Sequence, residues 1–135
     1  MIARFRDVCL DANDPQLLGG FWGAVLGREP EDAGQGDGTT PDVFLAPGAD
    51  GGPGIFVNGV PEPKAGKVRL HLDVTLEPGQ EISDLLAVGA TVVSEPHEDR
   101  WWVLADPEGN EFCAFLPDSD ATNDADAEVP LDAPA

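Results

Sequence analysis

Basic side chains are scarce in this sequence of 135 residues, which has 7 Lys and Arg against 26 Asp and Glu. The formal net charge of −19 repels phosphate backbones and anionic headgroups, so nucleic acids and membrane surfaces are not expected partners. No apolar run approaches the roughly 20 residues of a membrane-spanning helix. The first residues also lack the apolar core of a secretory signal, so we expect a cytoplasmic protein.

Cysteine is nearly absent, and tyrosine is absent altogether. The two cysteines, Cys9 and Cys113, are too few to stabilise a chain of this length through disulfide bonds, so we expect free thiols in a reducing compartment. The simplest interpretation of each is a small buried apolar residue. The glycine-rich stretches lack the Lys-Ser/Thr sequence of a phosphate-binding loop, which excludes that kind of nucleotide site.

The clearest structural signal in the sequence is a β-hairpin near residue 106, and the other elements are placed relative to it. An Asp-Pro-Glu-Gly sequence at 106–109 separates two short apolar runs. Asp106 can hydrogen-bond the backbone two residues on, proline presets the next φ, and Gly109 can adopt a positive φ without steric cost. The sequence therefore predicts a β-hairpin with strands at Trp101–Ala105 and Glu111–Leu116.

The length of this turn decides which side chains face each other. With a short loop after Ala105, Val103 lies opposite Cys113 and Trp101 lies opposite Phe115. Successive strand residues point to opposite sides, so these hairpin side chains share one face. Both faces are largely apolar, and we expect one to be covered while the other lines a binding surface.

Hydrophobic periodicity places the other elements. A helix is predicted from Pro15 to Leu26, because its apolar residues recur at helical spacing, Asn13 or Asp14 can cap it and Gly27 follows. Residues 29–54 are rich in glycine, proline and acids and predict loops around one short strand. The remaining predicted elements are strands at 3–11, 43–46, Gly54–Asn58, 68–75 and 91–93, and a helix over 81–88.

The order of these elements repeats along the chain. Asp7 aligns with His71 and Gly27 with Gly89, and a Glu-Pro pair follows each glycine. This pattern indicates an internal duplication of about 60 residues. We therefore expect an α+β fold of two tandem modules, each a strand, a helix and three more strands. Module one covers about 1–60, module two about 67–117, and the acidic tail 118–135 is expected to be disordered.

Three short motifs, in this order, resemble the vicinal oxygen chelate superfamily of glyoxalases, extradiol dioxygenases and bleomycin-resistance proteins. They are Phe-Trp in the first helix, the connector Pro-Lys-Ala-Gly-Lys at 63–67 leading into Arg-Leu-His-Leu-Asp, and the turn sequence from Asp106 to Cys113. The likeness to small glyoxalase-like proteins extends from Met1 to about Pro117. It implies two βαβββ modules that form one curved mixed sheet around a cavity, with the helices outside.

Strand alternation brings the same residues together independently of this resemblance. It places Asp7 with Cys9, His71 with Asp73, and Cys113 with Trp101. Such a face suits a small molecule that is flat or partly cationic, because aromatic rings can stack on it and carboxylates can pair with its charge. The predicted ligand-binding residues are Asp7, Cys9, His71, Trp101, Val103, Cys113 and Phe115.

The resemblance also implies positions for a divalent metal such as zinc, iron or manganese. Carried over residue by residue, they are Asp7, about Asn58, His71 and Cys113, with mostly His and Glu at these positions in metal-dependent members. Asp73 is then the candidate catalytic base of a lyase, isomerase or dioxygenase, with Asp11 as a second candidate.

The alternative to a metal is a hydrogen-bonded pair between Asp7 and His71, with Cys113 as a packed thiol. No cofactor is firmly implied, and we favour a small-molecule-binding protein without a dependable metal. Two other hypotheses remain open. One is the metal-dependent enzyme, and the other is a structural domain that forms a homodimer.

Overall fold

The computed structural model describes residues 1–36, 40–97 and 101–117. The predicted acidic tail lies outside the described residues. The chain divides between Lys64 and Ala65 into two compact units, which are described separately below as module one and module two. Within the described ranges, no helix is long and apolar enough to cross a membrane.

Module one has the element order βαβββ. Its mixed sheet has the strand order β1-β4-β3-β2, in which β1 and β4 are parallel and the other neighbours are antiparallel. The elements are β1 (Asp7–Ala12), α1 (Pro15–Leu26), β2 (Pro30–Asp32), β3 (Val43–Leu45) and β4 (Gly54–Gly59).

Helix α1 begins and ends where the sequence predicts. The Asp14 side chain accepts a hydrogen bond from the Leu17 backbone N–H at 3.1 Å, and Gly27 closes the helix at a φ of 65°. The helix packs directly on β3, because a Cβ at Gly19 would lie 2.6 Å from a methyl group of Val43. The buried core of this module includes Leu18, Phe21, Trp22, Val43, Leu45 and Val57.

The other side of this sheet carries polar and aromatic side chains. The parallel register pairs Asp7 with Gly54, Cys9 with Phe56 and Asp11 with Asn58. We call the surface formed by Asp7, Cys9, Asp11, Phe44, Phe56 and Asn58 the Asp7 face.

Module two repeats the element order of module one. Its sheet has the strand order β5-β8-β7-β6, with β5 and β8 parallel and the other neighbours antiparallel. The elements are β5 (Leu72–Thr75), α2 (Ile82–Ala87), β6 (Thr91–His97), β7 (Trp101–Ala105) and β8 (Glu111–Phe115). The α+β class and the two tandem βαβββ modules are therefore confirmed.

Several predicted boundaries were wrong, each for a local reason. Strand β2 lies in a stretch that we predicted as loop. The prediction missed it because its three residues are exposed and show no apolar alternation, although they pair with β3. Strand β5 begins at Leu72 and not at Val68, whose N–H donates to the Glu111 carboxylate at 3.0 Å. Strand β6 extends past the predicted end and has two register shifts, the second of which spans its Glu-Pro sequence.

The last hairpin has the predicted register. Val103 pairs with Cys113 and Trp101 with Phe115. The buried Asp106 carboxylate organises the turn, since its Oδ1 accepts hydrogen bonds from the backbone N–H groups of Glu108 and Asn110, both at 3.0 Å. The Asn110 side chain donates to both carboxylate oxygens, at 3.1 and 2.9 Å. Gly109 has the expected positive φ, 88°.

Replacing Asp106 with alanine should lower the free energy of unfolding by about 2–4 kcal/mol, because it leaves several turn donors without their charged acceptor. Asp106→Asn retains an oxygen acceptor and should lose clearly less. Urea denaturation followed by tryptophan fluorescence measures both. An alanine variant as stable as the wild type would contradict the role assigned to this carboxylate.

Candidate functional site

The pairing of β5, β8 and β7 brings predicted site residues together on one face of module two. Asp73 pairs with Cys113 across the parallel strands, and Val103 flanks Cys113 from the other side. Trp101 and Phe115 continue the same face, with ring centroids 6.0 Å apart and planes inclined at 36°. We call this surface the Cys113 face.

A hydrogen bond links the thiol and the carboxyl group at the centre of the Cys113 face. The Cys113 thiol donates to the Asp73 carboxylate. Burial, the charge of Asp73 and this hydrogen bond together raise the pKa of Cys113 to about 11. Asp73 is exposed as a residue, but partial burial of its carboxyl group raises its pKa, and the nearby His71 and the Cys113 thiol oppose that shift.

His71 lies just before β5 and close enough to Asp73 to interact with its charge. The side chain is half-buried, and its Nε2 atom is buried with no hydrogen-bond partner among the described residues. Buried polar atoms in proteins are nearly always paired. This nitrogen is therefore an exception among the buried polar atoms of module two.

The predicted ligand-binding residues of module two differ in their exposure to solvent. Trp101, Val103 and Cys113 are only 3%, 3% and 2% exposed and form a buried cluster, against which the half-buried Phe115 packs. Asp73 remains accessible. A molecule on this face would thus meet Asp73, His71 and Phe115, with the buried cluster supporting them from behind.

The Asp7 face holds the predicted site residues of module one. Asp7 is half-buried and forms an ion pair with the exposed Arg6 at 3.4 Å. Cys9 is an exposed free thiol beside Phe56, whose ring centroid lies 6.2 Å from that of Phe44. The predicted pair of Asp7 with His71 and a cavity between the modules stay predictions.

The donor atoms of the Cys113 face fit a divalent metal poorly. His71 offers a free ring nitrogen, but a metal ligates the thiolate form of cysteine and Cys113 holds its proton in a hydrogen bond to Asp73. Across the ranges 1–36, 40–97 and 101–117, no three His, Cys, Asp or Glu side chains form a group that could hold a metal ion.

Sequence reasoning did not identify Arg28, Asp42 and Glu111 as buried charged residues. Arg28 is 7% exposed and binds Asp50 in the loop before β4. Periodicity does not reveal it, because Arg28 follows the helix-ending Gly27 and Asp50 lies in a loop. The only available signal was the scarcity of basic residues in an acidic chain.

A family model described as the glyoxalase-like domain matches residues 7–115. The chain belongs to the glyoxalase-like domain family. The resemblance found in the sequence motifs is thereby confirmed. No curated protein matches the chain.

Several solved structures share the fold. Hypothetical protein SA1046 from S. aureus is 15% identical, with a TM-score of 0.58 over 86% of this chain and 99% of that one. A glyoxalase/bleomycin resistance protein/dioxygenase family enzyme from Burkholderia phytofirmans PsJN is 18% identical, with a TM-score of 0.57 over 81% and 94%. A mutant of the fosfomycin resistance protein FosX from Listeria monocytogenes, complexed with Mn(II) and 1S,2S-dihydroxypropylphosphonic acid, is 12% identical, with a TM-score of 0.61 over 85% and 90%. At these identities the likeness shows the fold alone.

The two thiols of this glyoxalase-like protein should differ in reactivity. At about pH 8, an aromatic disulfide reagent should modify the exposed Cys9 quickly and Cys113 slowly, because Cys113 is buried and its pKa is about 11. The Cys9→Ser variant should lose the fast phase, whereas Cys113→Ser should retain it. Modification in urea checks that both thiols are intact. Fast reaction of folded Cys9→Ser would contradict the described environment of Cys113.

Proposed function

We propose that this glyoxalase-like protein binds a small, flat, partly cationic molecule on the Cys113 face, without needing a metal. The observation that carries this proposal is the buried, unpartnered Nε2 of His71 next to the accessible carboxylate of Asp73. A ligand with a polar nitrogen edge satisfies both groups. It removes the cost of an unpaired buried nitrogen, which an apolar ligand leaves in place.

The charge of the chain favours a cationic ligand. The formal net charge is −19, so the protein attracts cations at long range and repels phosphates and carboxylates. At close range, the Asp73 carboxylate pairs with a positive nitrogen. Phe115 offers part of its ring to the flat surface of the ligand, and a cation over such a ring gains about 0.5–1 kcal/mol at an exposed site.

A metal-dependent lyase, isomerase or dioxygenase is the second candidate function. The free Nε2 of His71 favours it, since a neutral imidazole nitrogen is a common metal ligand, and the FosX neighbour was solved with Mn(II). In this reading Asp7, His71 and Cys113 are the ligands and Asp73 is the base. We rank it second because the Cys113 proton and the Asp73 carboxylate are already engaged with each other.

Two probes that share one ring system test the effect of the positive charge alone, since neither donates an N–H group to His71. N-methylacridinium should bind more tightly than acridine, which lacks the N-methyl group and is neutral above about pH 7. Asp73→Asn should lower the affinity for N-methylacridinium by about three- to fivefold, ~0.6–1 kcal/mol, because the carboxylate is partly exposed. Titration calorimetry measures both affinities.

Glu77→Gln is the matched control for this experiment. Glu77 is exposed in the same module, and its substitution removes one negative charge without touching the Cys113 face. It should leave both affinities unchanged, whereas Phe115→Leu should weaken both probes. If Glu77→Gln weakens N-methylacridinium as much as Asp73→Asn does, the cation is bound by net charge alone and the proposed site is wrong.

Metal analysis separates the two candidate functions. Protein purified without a histidine tag should contain substoichiometric zinc, iron and manganese, and added Mn²⁺ or Zn²⁺ should not raise its melting temperature. Stoichiometric metal that is lost in His71→Ala and retained in Glu77→Gln would overturn the metal-free proposal. It would instead support the metal-dependent enzyme.

A further inference from the structure

Arg28 is a buried cation in a chain that has very few cations. Its side chain is 3% exposed, and it follows Gly27 at the end of α1. Its Nη2 donates to both carboxylate oxygens of Asp50, at 2.9 and 3.1 Å, and its Nη1 donates to the Pro53 carbonyl at 2.7 Å. The guanidinium group therefore ties the end of the helix to both ends of the 50–53 segment.

The loop around Arg28 is shaped for this contact. A Cβ at Gly48 would lie 3.1 Å from Nε, and a Cβ at Gly52 would lie 3.0 Å from Nη2. Larger residues would push the loop away from the guanidinium. The hydrogen bond from Arg28 also lowers the pKa of Asp50, so this carboxylate stays ionised and the ion pair persists near neutral pH.

The loop leads directly into the Asp7 face. The residue after Pro53 is Gly54, which begins β4 opposite Asp7. A Cβ at Gly54 would lie 2.8 Å from the Asp7 carboxylate and 2.7 Å from the Phe44 ring. Asp7 and Phe44 thus close over the Gly54 backbone. A shift of Gly54 by a fraction of an ångström moves the surface on which both side chains lie.

We propose that Arg28 is a positioning residue for the Asp7 face: through Asp50 and Pro53 it holds Gly54 where the Asp7 carboxylate and the Phe44 ring pack on it. The inference does not depend on the proposed function, whose Cys113 face lies in module two, and it concerns only the geometry of module one. The guanidinium is suited to this role because its two terminal nitrogens are fixed in one plane, so that Nη2 binds the Asp50 carboxylate while Nη1 binds the Pro53 carbonyl.

The test uses substitutions at the loop, because removal of Arg28 itself would leave a cavity in the core. Asp50→Asn removes the charge of the ion pair, and Asp50→Glu restores it. Gly52→Ala crowds the guanidinium from the other side. Its matched control is Gly20→Ala, since a Cβ at Gly20 in α1 meets nothing within 4 Å.

The primary readout is the ¹³C NMR signal of the Asp7 carboxyl group, assigned with Asp7→Asn. It should shift or broaden in Asp50→Asn and Gly52→Ala and return to its wild-type position in Asp50→Glu. Gly20→Ala should leave it unchanged. A loop contact that only added stability would lower the melting temperature without moving the Asp7 signal.

The outcomes separate this inference from the proposed function. An unchanged Asp7 signal in folded Asp50→Asn and Gly52→Ala would overturn the positioning role, whatever happens to probe binding. If the wild type does not bind N-methylacridinium but the Asp7 signal moves as expected, the proposed function fails and the positioning role holds. If Asp50→Asn does not fold, Gly52→Ala against Gly20→Ala gives the same decision.

Discussion

The hydrogen bonds of the Asp106 carboxylate fix the register of the last hairpin, and the Cys113 face depends on that register. Oδ1 accepts from two backbone N–H groups and the Asn110 amide, so the loop has one preferred length. A change of one residue in that length would turn Cys113 and Phe115 to the opposite side of β8. The thiol would then no longer lie beside Asp73, and the buried cluster with Trp101 would be lost.

Local chemistry explains which parts of the fold were predictable. The cap at Asp14, the stop at Gly27 and the turn at Asp106 each depend on side-chain groups within a few residues, and all three are as the sequence indicates. Strand β2 depends instead on pairing with β3, and its short exposed sequence carries no sign of that partner. Likewise, the Val68 N–H, just before β5, donates to the carboxylate of Glu111, a residue 43 positions later in the sequence that no local pattern identifies as its partner.

The candidate site was predictable as a face but not as a set of contacts. Alternation alone puts His71 with Asp73 and Cys113 with Trp101. The hydrogen bond between Asp73 and Cys113 requires that β5 and β8 be parallel neighbours, which periodicity does not specify. The burial of Trp101, at 3% exposure, also depends on packing that no local pattern reports. The ion pair of Arg28 with Asp50 escaped prediction for the same reason.

The cysteine on β8 has a chemical consequence for the whole face. A carboxylate at this position would repel Asp73 and favour a cation between the two acids. A thiol instead can donate a hydrogen bond to Asp73. Because Cys113 is buried and its pKa is about 11, the face carries one negative charge and not two. One accessible carboxylate beside the unpaired Nε2 of His71 supports the proposal of an organic cation over that of a divalent metal ion.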